Sequence, residues 1–179
     1  TVAAVTLAPL WVPMARRFGK HRTYCIANII TLLAYASFFF MPSGQLWPVL
    51  AANALLAFGN GGTMITPPAM AADAVDNDEL QSGVQQPGGH MAFLAFVFKA
   101  GMGLGAGVGL GFVGLFGYQS AAQLLTPEVQ RGVMFGVSLL PALLLLVPIA
   151  MMWSYPIDNE RHAQIRRELE ARRTASAGA

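Results

Sequence analysis

Charge is scarce in this sequence: 11% of its 179 residues are charged, where a soluble globular domain carries about 25%. Hydrophobic residues make up 55% and mean hydropathy is +0.51, which excludes water as the solvent of most of the surface. Cysteine is nearly absent as well. Cys25 is the only one and opens an apolar stretch, so a disulfide framework and a cysteine metal cage are excluded and packing is left. The three histidines, His21, His90 and His162, are scattered, which gives no support to a zinc site. The acidic group Asp73, Asp76, Asp78 and Glu79 has Leu80 where a calcium loop needs a ligand, and no glycine follows it. No nucleophile and base can be paired, so the expectation is that this is not an enzyme, with no metal and no cofactor.

Two further absences concern the membrane. Neither an initiator Met nor a basic region precedes the apolar residues 1–14, so they read as a helix cut partway through and not as a signal peptide. Polar alternation at every second residue is missing, which excludes the strands of a membrane barrel. Helices remain, because backbone groups in lipid must bond internally.

What is present is a series of long uncharged runs, and a membrane-crossing helix needs roughly 20 apolar residues. Glycine, proline and charge divide them into five expected spans at residues 1–15, 24–41, 46–72, 91–117 and 132–155, with residues 158–179 as a C-terminal helix and tail. The fold class expected is all-α, a polytopic membrane helical bundle. Net charge is +2 and pI about 9.0, but the basic residues sit in short blocks beside apolar spans, so membrane topology explains them and nucleic acid does not. Arg16, Arg17, Lys20 and Arg22 follow the first span, and Arg161, Arg166, Arg167, Arg172 and Arg173 follow the last. The basic side is therefore expected to be cytoplasmic, with the C-terminus on it.

Lys99 stands out, because a cation near the middle of a span costs about 2.5 to 3.5 kcal/mol on insertion scales and needs a partner or a wet cavity. It either faces inward with a functional role or, if its helix begins later, snorkels to the surface. Tyr24, Asn28, Thr31 and Tyr35 share one helical face, as do Asn53, Asn60, Thr63 and Thr66. Such stripes line a solute pathway or hydrogen-bond between helices. Pro67 and Pro68 are expected to disturb the third span and free carbonyls. The glycines from Gly101 to Gly117 give the fourth span small faces for close packing against two neighbours. In the tail, Asp158 is a candidate N-cap after Pro156, and Arg166 with Glu170 and Glu168 with Arg172 have helical pair spacing. The apolar stripe there is thin, which suits a solvated helix, or alternatively a regulatory one; residues 174–179 are expected to be disordered.

The order of several segments resembles a known family. The pieces are Pro9-Leu10-Trp11, the loop from Ala15 to Arg22, the segment from Pro67 to Leu80, Phe98-Lys99-Ala100-Gly101, and Tyr155 to His162. Together they are similar to the glycoside, pentoside and hexuronide cation symporters, the melibiose permease-like branch of the major facilitator superfamily. That resemblance implies a twelve-helix transporter of which this chain is about helices eight to twelve, a partial C-terminal bundle. It implies alternating-access symport of a sugar or sugar-like solute with Na+ or H+, in a bacterial inner membrane. The coupling cation would be held mainly by an N-terminal bundle that this chain lacks, making that bundle, the lipid bilayer and a small solute its partners.

Lys99 matches the family's site lysine, and Asn28, Tyr35, Asn60 and Thr63 are the other candidates for a solute and cation pathway. Arg16, Arg17, Lys20, Arg22, Asp73 and Asp76 match cytoplasmic gate motifs, with Arg16, Arg17 or Arg22 expected to pair with Asp73 or Asp76. The alternatives are a differently coupled or uncoupled metabolite or drug transporter of the same superfamily, and a non-transporting membrane interaction protein.

Overall fold

The computed structural model describes residues 2–41, 44–84, 86–118, 126–155 and 159–177. Every regular element among them is helical: α1 (Val2–Phe18), α2 (Lys20–Phe39), α3 (Leu46–Ser82), α4 (Pro87–Leu115), α5 (Pro127–Trp153) and α6 (Asn159–Ala177). Four of these, α2 to α5, are long and apolar enough to cross a membrane. Side chains such as Phe93, Phe96, Met102, Leu104 and Leu110 are more than 65% exposed, a surface that lipid solvates and water does not. The all-α membrane bundle expected from sequence is the architecture found.

The centre of the bundle is the α2–α3 pair, and small residues make it possible. Gly59 and Gly62 of α3 are buried against Ala27 and Thr31 of α2. A Cβ on Gly59 would lie 2.9 Å from the Thr31 nitrogen and 3.0 Å from the Ala27 oxygen, and one on Gly62 would meet the Ala27 Cβ at 2.6 Å. Backbone cannot yield as a side-chain tip can, so Gly59→Val must push the helices apart. A loss of roughly 2 to 4 kcal/mol is expected from such overpacking of a tight interface. It is read as a matching drop in the folded, membrane-inserted fraction; an unchanged fraction would contradict the close approach. α1 is held to the same helix by Trp11, which is 1% exposed, donates its indole N–H to the Phe58 carbonyl at 3.0 Å and packs on the Phe58 ring at 4.8 Å.

Several expectations are corrected here. α3 runs unbroken past Pro67 and Pro68 to Ser82, beyond the expected end of the third span, and carries the acidic segment as helix. The two prolines remove the donors to the Thr63 and Met64 carbonyls, yet the flanking turns are held, with the Thr66 hydroxyl bonded to the Gly62 carbonyl at 2.8 Å. The helix stops at Gly83, whose φ of 73° only glycine adopts without strain and whose N–H caps the Glu79 carbonyl. The close-packing glycines are those of α3, and in α5 Gly132 and Gly136, which receive Phe116 and Phe112 of the fourth span and its end. From Gly101 to Gly114, by contrast, the α4 glycines have open space around them among the described residues, and no α4 residue is buried.

Helix ends also differ from expectation. α4 begins at Pro87 and α5 at Pro127, both earlier than the apolar runs suggest. Thr126 caps α5 by accepting from the Val129 N–H, with Pro127 and Glu128 in the first turn, a start signal that the polar composition of this stretch masked. Within α5 the turn Phe135–Leu139 widens to a π-helix around the buried Ser138, whose hydroxyl bonds the Met134 carbonyl. The tail is helical to Ala177, so residues 174–177 are ordered helix. Pro156 and the Asp158 cap lie outside the described residues.

Candidate functional site

One turn of φ 90° at Gly19 separates α1 from α2 and swings Lys20 toward α3. Its ammonium donates to both oxygens of Asp73, at 2.6 and 2.7 Å, and to the Ala69 carbonyl at 3.3 Å. Asp73 is 5% exposed, so this pair is screened far less than a surface ion pair. Lys20, an expected gate residue, thus closes on Asp73, a pairing that the expected arginine links did not include.

A second cation-capable group completes the cluster. The Nε2 of His162 lies 3.2 Å from Asp73 and 3.1 Å from Asp76, bringing α6 onto the acidic end of α3. Further along, Arg173 grips both carboxylate oxygens of Glu79 at 2.8 and 3.0 Å, and Arg172 donates to the Leu80 carbonyl at 2.8 Å. The Glu79 contact holds the Arg173 guanidinium above its ordinary pKa, so it stays charged. Between these polar contacts Ile165 and Leu169 pack on Leu80, at 0% and 7% exposure. Full burial of such a side chain stabilises by about 1.5 to 3 kcal/mol, enough to keep α6 docked. The tail helix is therefore one wall of the site, not a solvated terminus.

His162 had been set aside as scattered. The signal for it was spacing: His162, Ile165 and Leu169 fall on one helical face, and Asp73, Asp76 and Leu80 fall on the matching face of α3. Two short stripes that look thin alone are complementary together.

The other candidates divide into three groups. Arg16 lines a cavity of about 400 Å³ beside Lys20 and His162, together with Val12, Ile65 and Thr66. Arg17 and Arg22 line a different cavity, and Arg17 lies 5.6 Å over the Phe18 ring. In the pathway set, Asn28 is 2% exposed and donates to the Tyr24 carbonyl at 2.9 Å, so it is enclosed in packing. Thr63 donates to the Asn60 carbonyl at 3.1 Å, and Thr63, Asn60 and Tyr35 are half-buried. Lys99 is exposed on α4, away from the Lys20 cluster.

Comparison with known proteins gives the family. Residues 1–159 match the family described as MFS/sugar transport protein. The chain is 31% identical to a glucuronide carrier protein homolog of Escherichia coli, over 96% of this chain and 37% of that protein. It is 26% identical to an uncharacterized symporter of Bacillus subtilis, again over 96% and 37%. A human sodium-dependent lysophosphatidylcholine symporter is 24% identical over 96% of the chain and 32% of its own length. The chain thus spans about a third of the length of the relatives it matches. A bundle of apolar helices, a charged cluster at its basic end and a match over most of its length give one reading: this chain belongs to the MFS/sugar transport protein family, among the glycoside, pentoside and hexuronide symporters.

Proposed function

We propose that the chain is the C-terminal part of a symporter that moves a sugar or sugar-like solute with Na+ or H+ by alternating access. The observation that carries this reading is α4, an apolar helix with a lysine near mid-depth and no buried residue. An ammonium group held in a membrane span needs a wet, polar surface, and a helix left bare by its own bundle is where a second bundle would provide one. The basic end, by the excess of Lys and Arg there, is the cytoplasmic one, in a bacterial inner membrane.

The Lys20, Asp73, Asp76 and His162 cluster joins three helices of a single bundle. Its role in alternating access is to keep the inner rim of that bundle rigid while the bundle rocks as one body. Arg16, beside it at the end of α1, would supply a contact to a second bundle that forms in only one conformation.

The relative named for lysophosphatidylcholine supports a second reading, in which the solute is an amphiphile. Uptake by the complete protein in vesicles separates them. A panel of hexuronides, other sugars and lysophosphatidylcholine is offered with and without an inward Na+ or H+ gradient. Accumulation of a sugar-like solute at least about ten-fold over the gradient-free control is expected, as about 1.4 kcal/mol of gradient energy per tenfold allows. Uptake of lysophosphatidylcholine alone would replace the sugar, and indifference to both gradients would remove the coupling.

A further inference from the structure

The α1–α2 junction carries more cations than the Lys20 cluster uses. Lys20 and Arg22 are two residues apart on a helix, about 200° around its axis, so Arg22 points away from α3 when Lys20 points toward it. On that far side lies a cavity of about 430 Å³ between the α1–α2 junction and the end of α5. Arg17, Arg22, Ser154, Tyr155 and Glu160 give it a polar lining, and Trp153 stands at its rim, 67% exposed. It sits where apolar spans end and charged residues begin, the depth of a lipid headgroup.

We infer that this cavity binds the phosphodiester headgroup of a phospholipid bearing a primary ammonium. Two guanidinium groups and two hydroxyls match the donors a phosphate needs, and arginine's planar fork suits its oxygens. Glu160 decides between headgroups. A carboxylate in the same cavity repels a second anionic charge but accepts hydrogen bonds from an –NH₃⁺, which a trimethylated ammonium cannot donate. Trp153 and the neighbouring Phe18, 46% exposed, then meet the first acyl carbons. The site holds whether the transported solute is a sugar or an amphiphile, since its polar residues are not those of the charged cluster. Its occupant would brace the α1–α2 junction against α5.

The test uses the intact membrane protein, purified and examined by native mass spectrometry with phosphatidylethanolamine, phosphatidylcholine and phosphatidylglycerol of identical acyl chains. Retention of phosphatidylethanolamine about ten-fold over phosphatidylcholine is expected, the worth of one charge-assisted hydrogen bond. Glu160→Gln should erase that preference while leaving phosphatidylglycerol retention unchanged or raised. Arg17→Gln with Arg22→Gln should lower retention of all phospholipids. Because those arginines also help set membrane orientation, Glu160→Gln decides the matter if the double variant fails to insert. Equal retention of the three lipids, or a preference that survives Glu160→Gln, overturns the proposal. Displacement of the lipid by excess inorganic phosphate also overturns it, by marking a site for free anions.

Discussion

Replacing Lys99 with methionine is expected to reduce uptake by the complete protein to background while the amount of protein in the membrane stays the same or rises. The expectation follows from two opposing costs. Methionine is nearly the same length and apolar, so the substitution removes an insertion penalty of about 2.5 to 3.5 kcal/mol and leaves no cavity. Lys99 is exposed among the described residues, so no buried contact is lost. A fall in uptake would therefore report the charge and not the fold. Against snorkelling, Lys99 lies eight residues inside the apolar run 91–117, about 12 Å from its near end at 1.5 Å per residue. A lysine side chain spans roughly half of that path. Uptake assays paired with immunoblots of washed membranes give both readings, and near-normal uptake by the variant would remove Lys99 from the transport site.

The second large effect is expected at the other cation. Asp73→Asn leaves Lys20 facing a neutral amide and strips His162 of one of its two carboxylates. Breaking a buried ion pair by removing one partner costs about 3 to 5 kcal/mol, and Lys20, 29% exposed, places this pair at the lower end. Uptake is expected to fall on the order of 100-fold, with some loss of inserted protein. Lys20→Asp alone should be as damaging, since it sets three carboxylates together. The exchange of both residues should recover part of the activity. Recovery stays partial because an aspartate at position 20 is shorter than lysine and a lysine at position 73 faces His162. A double-mutant cycle on uptake and on thermal stability measures the coupling, for which about 1 to 3 kcal/mol is typical of residues in contact. Additive losses, with no recovery in the exchanged variant, would show that the contact does not link the two helices in function.

Much of this protein could be read from its residues in order. The scarcity of charge, the length of the apolar runs and the asymmetry of Lys and Arg follow from what lipid does to an exposed backbone or an unpaired charge, so a helical membrane bundle was decided before any packing was known. Lys99 was conspicuous for the same reason. Periodicity alone was less able to place helix ends, because Pro87 and Pro127 begin helices in polar surroundings where hydrophobicity carries no signal. What only the tertiary structure decided were matters of partnership. A buried aspartate accepts whichever cation the backbone brings near, and the turn at Gly19 brought Lys20. The glycines that permit close approach proved to be Gly59 and Gly62, because closeness depends on the helix opposite, and α4 has little opposite it here. His162, Ile165 and Leu169 make a stripe too thin to bury itself; it became a wall of the charged cluster only because α3 continues past the membrane and offers a stripe of its own.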